Sequence, residues 1–131
     1  MTDTMRLKYL RIALVLVGII FIVGIYLLMI VWPSGWTWHS GHSDYPLMIV
    51  GIYATLGVFL LFAARDPLAH RSLIWFTVWS SVVHGGIMAV QALAPNSHGH
   101  FLGDVPALFI VAIVLGLLTP RGSRAASSAN A

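Results

Sequence analysis

Arg65–Gln91 reads RDPLAHRSLIWFTVWSSVVHGGIMAVQ, and the fold class turns on it. A short charged turn opens the stretch, and a long apolar run comes next with a single histidine, His84, deep inside it. At about 100° per residue, Thr77, Ser80, Ser81, His84, Met88 and Gln91 share an arc of roughly 100°. Trp75 and Trp79 project from the opposite side. A membrane helix patterned this way should turn its polar stripe to protein and its tryptophans to lipid.

Composition carries the same message outward. Of 131 residues, 59% are hydrophobic and 8% charged, and the mean hydropathy is +0.90. Soluble domains are nearer 45–50% apolar, with about a quarter charged. A chain this small cannot hide so much apolar surface from water, so its solvent is a bilayer. The net charge of +3 rests on few residues, which argues against a nucleic-acid partner. With no cysteine, disulfides, thiol catalysis and thiolate metal sites are excluded.

Hydropathy and punctuation divide the chain into four helices, at about 9–32, 45–64, 68–93 and 104–119. Residues 1–120 form one transmembrane domain, and 121–131 a disordered tail of small polar residues. The basic start, Arg6, Lys8 and Arg11, resembles a signal peptide. Its apolar run is too long for one and no A-x-A-like site comes after it, so a retained membrane helix is expected. Pro33 and Gly35 end that helix, and Trp32, Trp36 and Trp38 fall where an interfacial aromatic belt lies. Asp44 before Tyr45-Pro46, and Asp66-Pro67, read as caps followed by an early-helix proline. Gly51, Ala54 and Thr55 offer the second helix a small-residue face for close packing. The fourth span is short, and either begins at Phe101 or sits in thinned bilayer. All seven Lys and Arg residues fall on one side of this arrangement, and the two loops on the other side have none. By the positive-inside rule both termini are cytoplasmic. The expected fold is all-α: an integral membrane four-helix bundle with N and C inside.

The same topology gathers His39, His42, Asp44, His98, His100 and Asp104 on the outer side, as H-x-x-H-x-D and H-x-H-x-x-x-D. Imidazoles with a carboxylate suit zinc or copper, although the spacing matches no established signature and Gly41 and Gly99 leave both loops free to move. The plainer account is interfacial histidines that solvate loop ends. His84 is an intramembrane ionisable residue and so a candidate site. Its bland alternative is a neutral imidazole bonded to Ser80, Ser81 or a neighbouring helix. Haem ligation by two histidines lacks a second buried imidazole, which leaves a single axial ligand, His84 alone or paired with Met88. A serine hydrolase lacks an acid partner and a nucleophile elbow. No carboxylate lies within any span to carry protons. Arg65, Asp66, His70 and Arg71 form a cytoplasmic cluster that either contacts anionic lipid or simply caps a turn and sets topology.

The run from His70 to Ala92, HRSLIxFTxWSSxxHxxxMxxQA, resembles a family of small bacterial multi-span membrane proteins of unknown function. The likeness spans Gly51–Ala92, and more loosely the first span and the end of the last. It implies a multi-pass protein of the bacterial inner (cytoplasmic) membrane and brings no activity, cofactor or catalytic residue. The reading is a non-enzymatic packing or accessory component, with no cofactor, in the lipid bilayer. It packs with copies of itself or with a membrane-protein partner. The alternative is an outer-face zinc- or copper-binding protein using the loop histidines, and a weaker one is a haem- or quinone-associated accessory subunit using His84.

Overall fold

In the computed structural model, residues 1–38 and 43–122 are described. They are helical, with no strand among them. Four helical stretches are long and apolar enough to cross a membrane: Asp3–Val31, Tyr45–Arg65, Arg71–Gln91 and His98–Leu118. Each of the last three has 21 residues, a length of about 30 Å at 1.5 Å per residue. Large apolar side chains stand exposed on every span, among them Val23, Phe59, Ile87 and Leu117. That is the surface lipid would cover, so the chain is a multi-pass membrane protein.

The first span is longer than the apolar run from Tyr9. Helix α1 (Asp3–Ile19) starts under a cap in which the Thr2 hydroxyl accepts from the Met5 amide at 3.3 Å. Arg6, Lys8 and Arg11 ride its first turns, the part of the helix that charge keeps out of hydrocarbon. A π-helical turn, Ile20–Gly24, joins α1 to α2 (Ile25–Val31). The extra residue in that turn rotates α2 relative to α1 and breaks the regular packing stripe. Pro33 at the first helical position then opens α3 (Pro33–Trp36), a single turn.

Helix α4 (Tyr45–Arg65) has Asp44 at its N-cap position, but no side-chain bond caps it. Asp66 caps the following turn instead of a helix: the Ala69 amide donates to Asp66 Oδ1 at 3.3 Å. Pro67 is buried in that turn, and α5 (Arg71–Gln91) begins three residues later than the expected start at 68. Asn96 takes a left-handed backbone at φ 66°, which asparagine tolerates. The short fourth span resolves into a 3₁₀ turn, His98–Phe101, leading into α6 (Asp104–Leu118). Together they reach the length of the other spans.

Packing is tight between α1 and α4 and between α5 and α6. Helix α1 also meets α6, whereas α4 and α5 touch only sparsely. The α1–α4 contact is a glycine pair. A Cβ on Gly57 would lie 2.6 Å from the Gly18 carbonyl oxygen, and one on Gly18 would lie 2.9 Å from that of Gly57. The expected small face is not the one used: Gly51 has open space around it, and Thr55 bonds back to the Gly51 carbonyl at 2.9 Å. The reason is rotational position. Gly57 faces α1, while Gly51 and Thr55 are exposed. The main core, Leu10, Leu14, Leu60, Ala63, Ile74 and Leu115, lies toward the end carrying the termini. A smaller cluster, Met88, Val105 and Leu108, lies toward the loop end.

Candidate functional site

The loop end of the bundle is built less densely, and it holds a half-open cavity of about 480 Å³ lined by all four spans. Two features of the sequence open it. The π-turn puts Ile20, Phe21 and Ile25 around its wall, and sparse α4–α5 contact leaves room between those helices. Its lining is overwhelmingly apolar, with Met29, Val50, Met88, Leu108 and Val111 contributing. Few polar side chains reach it: Trp36, Trp38, Tyr45, Tyr53, His84 and Asp104.

The innermost polar feature is a pair. The Tyr53 hydroxyl on α4 and Nδ1 of His84 on α5 share a hydrogen bond. Tyr53 is eight residues into α4 from the loop end and His84 is seven residues from the end of α5. Both are therefore about 10–12 Å into the bundle. The Tyr53 ring is held by an edge contact from Phe21, with centroids 5.0 Å apart at 83°. The pair is amphoteric. If Tyr53 donates to Nδ1, then Nε2–H is a donor and the phenol oxygen an acceptor; if Nδ1–H donates, the phenol O–H is free to donate and Nε2 accepts.

A second polar group closes the cavity at the loop end. Asp104, in the first turn of α6 and buried, accepts from the Trp38 indole N–H at 2.6 Å and from His100 Nδ1–H at 3.0 Å. Trp38 and His100 also stack, with ring centroids 3.7 Å apart and planes 20° from parallel. Glycines make this closure fit. A Cβ on Gly103 would strike the Gly35 backbone, and one on Gly99 would strike Ser34, so α3 and the 3₁₀ turn pack backbone to backbone. Gly99 thus serves a close contact and does not loosen its loop. One group is left over: the Trp36 indole N–H is buried with no partner among the described residues.

Among known proteins, a family of unknown function, DUF6632, matches residues 4–130. The chain belongs to it. No curated protein and no solved structure matches. Membership extends over the whole bundle, from α1 through α6, and assigns no chemistry to any residue of the family's chain.

Of the polar stripe on α5, Thr77, Ser81 and Met88 are buried, Ser80 and His84 are half-buried, and Gln91 is exposed. Trp79 is exposed as expected, while Trp75 is half-buried and packs on the main core. Thr77 donates to the Leu73 carbonyl at 2.9 Å and Ser80 to the Thr77 carbonyl at 3.2 Å, the usual back-bonding of helical hydroxyls. His84 takes its partner from a neighbouring helix, α4, and not from Ser80 or Ser81 of its own.

The two described loop histidines separate. His39 and His42 lie outside the described residues. His100 turns inward to Asp104, whereas His98 is exposed and stacks near Phe101, with centroids 6.3 Å apart. Asp44 is exposed. Among the described residues no three metal-ligating side chains converge. The cluster at the other end also divides. His70 Nδ1 bonds to the Asp66 carbonyl at 2.9 Å, and the Arg65 guanidinium sits 5.4 Å from the Phe62 ring centre. Arg71 points elsewhere, toward Gly122. Sequence reasoning overlooked Tyr53, read Trp38 as part of a belt, and missed the Gly18–Gly57 contact. A tyrosine facing His84 across the bundle was the one readable signal among these.

Proposed function

We propose that the protein is a non-enzymatic accessory component of the bacterial inner membrane, with both termini cytoplasmic, that holds a lipophilic molecule in its loop-end cavity. The observation that carries this reading is the Tyr53–His84 pair inside an otherwise apolar cavity of about 480 Å³. That volume falls within the usual range for small-molecule sites, about 300–1,000 Å³, and a few polar groups in an apolar lining is their usual composition. The fitting ligand has an apolar body and a small hydrogen-bonding head. Quinones and long-chain alcohols are of this class, because an amphoteric hydroxyl–imidazole pair can serve a carbonyl or a hydroxyl equally. The Trp36 N–H, without a partner among the described residues, supplies a further donor for a carbonyl.

Binding is favoured over catalysis because the His84 ring is held by the Tyr53 hydroxyl, and no carboxylate among the described residues bonds to it to orient it as a base. Haem held by two histidines is disfavoured because His84 is the one imidazole among the described residues of the cavity wall. The test is a titration of the purified protein in detergent with a decyl-substituted benzoquinone and with dodecanol. Saturable binding of either, weakened in Tyr53→Phe and His84→Leu, supports the reading. Partitioning that is identical in the parent and both variants sinks it.

A further inference from the structure

The opposite end of the bundle carries a groove of about 630 Å³ that the cavity reading leaves unused. Three arginines from three parts of the chain line it: Arg6 of α1, Arg71 of the first turn of α5, and Arg121 just beyond α6. Asp3 is the one carboxylate on its wall among the described residues. Arg6 donates from Nε and Nη2 to the Leu117 carbonyl, at 3.2 and 2.6 Å, which ties α1 to the last turn of α6 and fixes a guanidinium at the groove. Arg71 buries its Nε with no partner among the described residues. The chain passes close over it: a Cβ on Gly122 would lie 3.0 Å from Arg71 Nη1.

Three guanidinium groups drawn to one concavity repel one another, and a buried N–H without an acceptor costs further free energy. An anion with several acceptor oxygens relieves both. We infer that this groove binds a phosphate group, through the paired donors that arginine presents to such oxygens. A groove at the ends of the spans can draw that phosphate from two sources, the headgroup of an anionic phospholipid or free phosphate. Arg65 belongs to the same turn as Arg71 but lies over Phe62 and off the groove wall, which makes it the natural control. The inference stands apart from the cavity reading, since none of these residues lines the cavity.

The test is calorimetric titration of the full chain in neutral detergent with dioctanoyl phosphatidylglycerol, dioctanoylglycerol and inorganic phosphate. Phosphatidylglycerol should bind saturably, and Arg71→Gln and Arg121→Gln should each weaken it by about tenfold or more, the scale of a lost charge-assisted pair. Arg65→Gln should bind as the parent does. Inorganic phosphate binding as tightly as the lipid assigns the site to free phosphate, and much weaker phosphate binding assigns it to headgroups; both uphold a phosphate site. Arg121 is exposed, so its variant keeps the test valid should Arg71→Gln fail to fold. Equal binding of dioctanoylglycerol, or unchanged affinity in both groove variants, overturns the inference.

Discussion

The two halves of this bundle are packed by different rules. Toward the termini, Gly18 and Gly57 bring two backbones together, and Leu10, Leu60, Ile74 and Leu115 are fully buried in the core of that half. Toward the loops, the same four helices stand apart around a cavity, braced by polar bonds between Tyr53 and His84 and between Trp38, His100 and Asp104. Between the halves lies the π-turn at Ile20–Gly24. In lipid there is no hydrophobic drive to close the open half, because lipid tails are as apolar as the side chains they meet. Hydrogen bonds and close van der Waals packing must therefore hold each half in its own way.

That contrast can be broken most sharply at the closed half. Gly57→Leu puts a side chain where the Gly18 carbonyl sits, and it should destabilise by about 3 kcal/mol or more, at or above the usual range for overpacking. Thermal unfolding in detergent reads this, and Gly51→Leu, in open space, should leave the transition unmoved. At the open half the largest effect belongs to Asp104→Ala, which strands the Trp38 and His100 donors and should cost about 2 kcal/mol. Hydrogen exchange should then show the 3₁₀ turn opening before the helices.

Filling the cavity separates binding from folding. Val50→Phe adds bulk to the wall of open space, so it should weaken dodecanol or quinone binding by about tenfold while shifting the unfolding transition little. The smallest effect is Tyr53→Phe. Losing one hydrogen bond between membrane helices should cost about 0.6 kcal/mol, the mean found for such pairs. Its signature is spectroscopic: the His84 imidazole resonance should shift in the variant although the fold is kept.

The same division governs what could be read from the sequence. Hydropathy located four spans because crossing a membrane demands about 20 apolar residues whatever their neighbours are. The first helix began earlier than its apolar run, because Arg6, Lys8 and Arg11 are good helix formers that charge merely keeps out of hydrocarbon. His100 and Asp104 were legible as members of one outer-side group, because the four-span topology gathers both loops there, but their bond to each other was not. Their third member, Trp38, was not legible either, because an indole near a membrane interface already has an ordinary explanation in the aromatic belt. Tyr53 was a readable signal, a polar-tipped side chain within α4, but only the rotation of α4 against α5 brings it to His84. The glycine contact was obscured by number, since 12 glycines offer many small faces and only the rotation of α4 against α1 selects Gly57.

The central claim is that the open half holds a lipophilic molecule, and photolabelling tests it most directly. An alkyl alcohol carrying a diazirine would be irradiated with the full chain in detergent, and its adducts mapped by peptide mass spectrometry. Labelling should concentrate on cavity-wall residues such as Val50, Tyr53 and Met88, compete with unlabelled dodecanol, and fall away in Val50→Phe. Adducts spread evenly over the lipid-facing Val23, Ile87 and Leu117, unmoved by competitor or by Val50→Phe, would contradict the account.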